Sequence, residues 1–223
     1  MMFPLKKGTF STVMFDMDGT LFESFPGISG GILYALEKLG YELPERESLR
    51  SFMGPPLRDQ FMRRFDMDEP TAAEAVRLYR EYYPVKGIYE QSPMPDAEMT
   101  VRSLKEHGVT VCTATSKPQQ YVEIILKEFG IENYFDIIVG ASFDGKLQHK
   151  ADIIAKVLEL SGKTPEECLM VGDRCFDIEG AHANGVKCAA VLCGYGSLKE
   201  FDSAGADYII NGLAEVLRIV AGY

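Results

Sequence analysis

The stretch Val13-Met14-Phe15-Asp16-Met17-Asp18-Gly19-Thr20-Leu21-Phe22 decides the fold. Residues 12–15 are strand formers, and the run ends abruptly in two aspartates spaced i, i+2, followed by Gly-Thr. Asp is a poor strand former, and two carboxylates at the tip of a buried strand repel unless a cation sits between them. In parallel α/β sheets, ligands bind at the carboxyl ends of the strands. One Asp then reads as an activated carboxylate nucleophile beside a divalent ion, the other as a group free to exchange protons with substrate. Gly19 lets the backbone turn at positive φ. Taken alone, Asp-Gly after a strand is also a common acidic turn, so the rest of the chain has to decide.

A chain of 223 residues can bury a full core, and suits one large domain or a core with a small insert. Its 46% hydrophobic and 25% charged residues are those of an ordinary globular protein. A net charge of −10 disfavours a nucleic-acid polymer or an anionic membrane as partner, because no basic stripe exists to neutralise phosphates. A small phosphorylated substrate stays compatible, since a bound metal would set the local field. Five cysteines (Cys112, Cys168, Cys175, Cys188, Cys193) form no C-x-x-C pair and no Cys/His cluster. Their spacing argues against a zinc site and their odd number against a disulfide scaffold, so buried free thiols in a reducing cytoplasm are expected. Residues 1–8, with Lys6 and Lys7, are too short for a signal peptide, and no run of 18 apolar residues appears.

Beyond the first strand the chain changes character. Pro26 opens a helical stretch with Ile28, Ile32, Leu36 and Leu39 on one face, closed by Gly40. Pro44 restarts a helix carrying Leu49 and Phe52, Gly54-Pro55-Pro56 breaks it, and residues 57–65 form the next. Pro70-Thr71 starts a longer helix with Ala72, Val76, Tyr79 and Tyr83. Four helices without a strand predict a separate helical unit over 23–92, with residues 1–22 and 93–223 forming the core domain.

From Asp96 an α/β rhythm resumes: helix 96–107, strand 109–113, helix 118–129, strand 137–139, the turn Phe143-Asp144-Gly145, and a helix opened by Gln148-His149-Lys150. An apolar strand then ends in Gly172-Asp173, with Asp177 four residues on and on the same helical face. Residues 186–220 alternate strand and helix again. Gly194-Tyr195-Gly196 lacks a third glycine and follows no first strand, so no dinucleotide site is expected. The fold class is α/β: a Rossmann-like three-layer core around a mostly parallel sheet, plus an inserted all-helical domain.

The strand 109–113 ends in Ala114-Thr115-Ser116-Lys117-Pro118, where a hydroxyl and the N–H groups of the next helix can bind a phosphoryl oxygen. Thr115 is the first choice and Ser116 the second, because Ser116 also reads as a helix N-cap before Pro118. Lys117 reads as solvated. Asp177 alone would suit a helix N-terminus for its dipole.

In order, Phe15-Asp16-Met17-Asp18-Gly19-Thr20-Leu21, Thr115-Ser116-Lys117-Pro118, Lys150 and Gly172-Asp173 with Asp177 resemble the four motifs of the haloacid dehalogenase superfamily, whose members are mostly phosphatases. With Gly54-Pro55-Pro56-Leu57 included, the chain is most similar to the phosphoglycolate phosphatase and 5′-nucleotidase-like branch. The resemblance implies Asp16 as the nucleophile that forms an aspartyl-phosphate and Asp18 as the general acid/base. It implies Mg²⁺ held by Asp16, the backbone carbonyl of Asp18 and Asp173, with Asp177 orienting it or binding through water. Thr115 and Lys150 would hold the phosphoryl oxygens, and Ser116, Gly19 and Thr20 would line the substrate.

The resemblance also makes 23–92 a cap that excludes water. Its hinges would be 22–26 and 89–95, the second stiffened by Gln91-Ser92-Pro93-Met94-Pro95. Arg58 would contact an anionic leaving group, although Gly-Pro-Pro joining two helices with a solvated Arg58 is an equal reading. The implied function is Mg²⁺-dependent hydrolysis of a small phosphorylated metabolite, by a monomer or a homodimer. A sugar-phosphate mutase would share the core. Dehalogenases do not need Asp18, and nothing marks Lys38 or Lys86 as the Schiff-base lysine that phosphonate cleavage requires. A receiver-type phospho-acceptor needs neither a second Asp nor a helical insert.

Overall fold

The computed structural model describes residues 10–54 and 56–222; Lys6, Lys7 and Pro55 lie outside the described residues. The chain forms two compact units, Met1–Phe22 with Pro93–Tyr223, and Glu23–Ser92.

The first unit is built on six strands: β1 (Thr12–Phe15), β4 (Thr110–Pro118), β5 (Ile137–Ala141), β6 (Cys168–Gly172), β7 (Lys187–Val191) and β8 (Tyr208–Ile210). Their order is β5-β4-β1-β6-β7-β8, and every pairing is parallel. Parallel strands need crossover connections, which cover both faces with helices. These are α4 (Ala97–Glu106), α5 (Gln119–Glu128), α6 (Lys150–Ser161), α7 (Cys175–His182), α8 (Leu198–Ala204) and α9 (Val216–Ala221). One apolar layer joins Met14, Cys112, Met170 and Cys188 to Ile153, Ile154 and Val157 of α6 and Ile178 of α7. Val101 and Leu104 of α4 and Val122, Ile125 and Leu126 of α5 are buried apart from that layer, in helices that pack on β4. The chain runs from β1 outward to β5, then returns to the other side of β1 for β6. That reversal puts β1 at a topological switch point, where the carboxyl ends open a crevice.

β4 is longer than the hydrophobic run predicts. It continues through Pro118, with a register shift after Thr115, and α5 begins only at Gln119. Proline disfavours helical φ/ψ in the residue before it, so Lys117 stays extended and Ser116 is not a helix cap.

The second unit carries α1 (Phe25–Leu39), α2 (Leu57–Phe65) and α3 (Glu69–Tyr82). The stretch after Pro44, expected as a fourth α-helix, is a 3₁₀ helix over Arg46–Phe52. Its two buried side chains, Leu49 and Phe52, lie three residues apart, a spacing that three residues per turn stacks on one face. Phe52, Phe61 and Phe65 form the aromatic heart of this unit. The chain crosses between the units at β2 (Phe22–Glu23) and β3 (Ser92–Pro93), which pair with each other.

Helix α1 carries Gly27, Gly30 and Gly31 within its length, which costs helix propensity. Gly27 explains itself. A Cβ there would lie 1.9 Å from the carbonyl oxygen of Gly87, a backbone atom with no freedom to move aside. Gly27→Ala gains about 1 kcal/mol of helix propensity and loses about 1–3 kcal/mol to overpacking. A net destabilisation in urea unfolding is therefore expected; a variant more stable than the wild type would show that this approach is not close.

Candidate active site

The tips of three neighbouring strands deliver the chemistry. Asp16 directly follows β1, and its N–H donates to the Val171 carbonyl at 2.9 Å, extending the β1–β6 ladder one residue beyond the strand. Asp173 directly follows β6, and Thr115 lies in β4. Lys150 is the first residue of α6 and is buried. Its ammonium lies 2.8 Å from Asp16 Oδ1 and 2.7 Å from Asp177 Oδ1, and it donates to the Ala114 carbonyl at 3.0 Å. An ammonium has three donors; all three face partners here.

Asp16, Asp173 and Asp177 each offer an oxygen within 4.8 Å of the others. Asp173 accepts from Thr20 Oγ1 at 3.1 Å and from the Tyr195 N–H at 2.7 Å. Asp177 Oδ2 accepts from the N–H groups of Asp173 and Arg174 at 3.1 and 3.0 Å. Thr20, expected from the resemblance to line the substrate, instead donates its hydroxyl to Asp173.

The Asp18 carboxylate stands outside that cluster and pairs with the ammonium of Lys117. This corrects the reading of Lys117 as solvated: its side chain is 3% exposed. The extended backbone forced by Pro118 turns it inward. Thr115 is buried, and its Oγ1 accepts from the Lys117 N–H at 3.2 Å. Ser116 is exposed and donates to the Gln148 carbonyl at 3.4 Å. Of the two hydroxyls, Thr115 is the one next to Ala114, whose carbonyl receives Lys150. Arg58 lies in the helical unit at the start of α2, where its guanidinium pairs with Glu69 of α3.

Sequence reasoning passed over the loop after β7. A Cβ on Gly194 would lie 2.4 Å from both Asp173 Cβ and the Gly19 carbonyl oxygen. Gly19 itself sits at φ +86°, with its own Cβ position 2.2 Å from Asp173 Oδ2. Gly194-Tyr195-Gly196, set aside as a nucleotide loop, is the cradle that closes on Asp173. Two glycines flanking one residue just past a strand tip were the available signal.

A family model described as "Haloacid dehalogenase-like hydrolase" matches residues 13–191. The chain belongs to that family. A 5′-nucleotidase of Pseudomonas aeruginosa is 35% identical over 96% of this chain and 97% of its own length. The tyrosine-protein kinase PtkA of Mycobacterium tuberculosis is 35% identical over 93% of this chain and 72% of its own. A crystal structure described as a predicted phosphatase, from Clostridium acetobutylicum, superposes with a TM-score of 0.91 at 38% identity, covering 96% of this chain and 99% of that one. The protein is an enzyme of the haloacid dehalogenase-like hydrolase family.

Electrostatics set what the family site can hold. Burial, then the charges of Asp177 and Asp16, push the Asp173 carboxyl well above its usual range. Burial also pushes Asp177 up, to about 6, against the pull of Lys150. Lys150 is drawn down by burial, but Asp16 and Asp177 outweigh that and hold it above its usual value. Three clustered carboxylates face one ammonium, which pairs with two of them, and all the candidate ligand atoms are oxygens. That donor set fits a hard divalent cation, and Asp16, Asp173 and Asp177 are the side chains that could hold one.

A metal-free protein should reveal the strain through pH. Asp177 binds its proton more tightly when folded (about 6) than at its ordinary value of 3.8. Its contribution to stability is therefore present below 3.8 and lost as pH rises towards about 6. Thermal unfolding in EDTA should show this fall, and Asp177→Asn should flatten it. Adding a divalent cation at neutral pH should restore wild-type stability by mass action. Identical pH profiles for the two proteins would exclude the charge cluster as the source.

Proposed function

We propose that this haloacid dehalogenase-type phosphatase hydrolyses a small phosphorylated metabolite, with Asp16 as nucleophile, Asp18 as general acid/base and Mg²⁺ as cofactor. The observation that carries the reading is the division of the two aspartates between two lysines. Lys150 ties Asp16 to Asp177 inside the charge cluster, while Lys117 holds Asp18 outside it. A nucleophile must stay an ionised acceptor, and an acid/base must reach the leaving group without joining the metal shell.

In the first step Asp16 attacks phosphorus in line, the ester P–O bond breaks, and a protonated Asp18 gives its proton to the departing alkoxide. In the second, Asp18 takes a proton from water as that water attacks the same phosphorus. The bond to Asp16 then breaks, and inorganic phosphate leaves. Lys150 and the Thr115 hydroxyl balance the phosphoryl oxygens, so catalysis is mostly positioning and charge stabilisation. Mg²⁺, held by Asp16, Asp173 and the Asp18 carbonyl with Asp177 orienting it, supplies charge neutralisation when bound.

The helical unit over 23–92 acts as the cap in this reading and selects the leaving group. Arg58 can contribute only by exchanging Glu69 for an anionic group on the substrate. A relative named phosphoglycolate phosphatase, from Pseudomonas putida, is 30% identical over 92% of this chain, and with the 5′-nucleotidase it supports a carboxylated or nucleoside phosphate. Five unpaired thiols suit the reducing cytoplasm. The relative named as a tyrosine-protein kinase favours a second reading, transfer from Asp16 to an acceptor hydroxyl other than water, as a mutase would also do.

Phosphate release from nucleotides, phosphoglycolate and sugar phosphates, with Mg²⁺ or EDTA, separates these. Turnover should require the metal. Asp16→Asn should abolish it, and Asp18→Asn should lower kcat by about 10²–10⁴-fold. Isomerised or transferred phosphate without release would favour the second reading; turnover that survives in Asp16→Asn would overturn both.

A further inference from the structure

Lys117, which faces Asp18, stands on an irregular stretch of β4. Along β4 and β5, Thr115 is opposite Gly140 and Pro118 is opposite Ala141. Three steps on β4 match one on β5, so Ser116 and Lys117 bulge out of the ladder. A bulge leaves edge-strand backbone groups without their usual partners, and a buried amide without a partner costs about 1–3 kcal/mol.

The extra residues are on β4, and Gln119, the first residue of α5, pins the chain that leaves the bulge back onto β5. Its Oε1 accepts from the Gly140 N–H at 2.6 Å, and its Nε2 donates to the Ile138 carbonyl at 3.0 Å. A side-chain amide offers one acceptor and a donor pair in one plane, as a peptide group does. Glu123, one helical turn on, accepts from the same Nε2 at 2.7 Å and fixes which way the amide faces. Gly140 completes the fit. A Cβ there would lie 2.6 Å from the Lys117 carbonyl oxygen and 2.9 Å from Gln119 Cα, so only glycine lets the bulge and the helix start close on β5.

We infer that Gln119 is a positioning residue for the reaction, acting through Lys117 on Asp18. This rests on the reading of Asp16 and Asp18 as the reacting pair. By tying the start of α5 to Ile138 and Gly140 of β5, Gln119 fixes where the bulge ends. The Lys117 N–H is then presented to Thr115 Oγ1 and the Lys117 ammonium to Asp18. A plain structural role would predict lost stability and no more.

The test measures the full chain with three changes, Gln119→Ala, Lys117→Met and both together. Gln119→Ala should lower kcat about tenfold with KM within about twofold, the size expected of a small misplacement of catalytic groups. The double variant should be no slower than Lys117→Met, because Gln119 works through that lysine. Hydrogen exchange should quicken at the Gly140 and Lys117 amides of Gln119→Ala and stay unchanged in β1 and β6. Losses that multiply in full, or an active Gln119→Ala with quick exchange, would remove the positioning role. Unchanged exchange at Lys117 would remove it whether or not the wild type turns over an ester, whereas an inactive wild type points to the proposed function instead. If the alanine variant fails to fold, Gln119→Glu, which keeps the acceptor for Gly140 and loses the donor to Ile138, carries the kinetic measurements and the exchange at Lys117.

Discussion

Everything in the core is arranged around one ammonium group that faces two carboxylates in a dry place. Lys150 lies within 2.8 Å of both Asp16 and Asp177, while Asp173 completes an acidic trio that a single lysine does not balance. Taking such charges out of water costs on the order of several kcal/mol per ion even after relaxation. A protein selected only for stability would replace them. The backbone instead invests hydrogen bonds in keeping them, through the N–H groups of Asp173, Arg174 and Tyr195. A site that holds excess negative charge this rigidly is prepared for a cation before the cation arrives.

The sheet order is what makes the arrangement possible. Because β1 lies between β4 and β6, the carboxyl ends of all three strands point the same way and their next residues meet. α6 reaches the cluster from its own first turn, and β7 sends a glycine-flanked loop back onto Asp173. The cluster is assembled only through long-range closure. Thr20 and Asp173 are 153 residues apart, and Lys150 and Ala114 are 36 apart. Parallel order, with its slow non-local pairing, is the cost of bringing these pieces to one point.

This explains what the sequence made legible. Asp16 and Asp173 announce themselves because they break a local rule, carboxylates where strands should stay apolar; Lys150 breaks none, since a lysine at a helix start is ordinarily exposed, and only its place in the ordered motifs marks it. Lys117 breaks no rule. It follows a serine in what looks like a loop, and its partner Asp18 lies 99 residues away, so local pattern favours solvent. Gln119 is equally silent, since an amide at a helix start is ordinary until the Ile138 carbonyl and the Gly140 N–H are known to face it. The 3₁₀ helix over Arg46–Phe52 was misread for a gentler reason: over seven residues, apolar spacing does not separate three residues per turn from 3.6.

The two lysines show how one short strand end supports two roles. Asp16 and Asp18 are separated by a single residue, so left alone they would share one environment and one fate. Strand alternation would put both on one face; the turn that opens at Met17, whose carbonyl accepts from the N–H groups of Thr20, Leu21 and Phe22, separates them, and each meets a different cation. Lys150 is locked by three partners in the core, which suits a carboxylate that has to hold still for in-line attack. Lys117 stands on a bulge whose register depends on side-chain bonds from Gln119, and its partner Asp18 keeps 22% of its side chain exposed. Greater exposure suits the proton exchange proposed for Asp18. The difference in surroundings between the two aspartates is thus built into the strand end and the helix start that carry their lysines, rather than into the aspartates themselves.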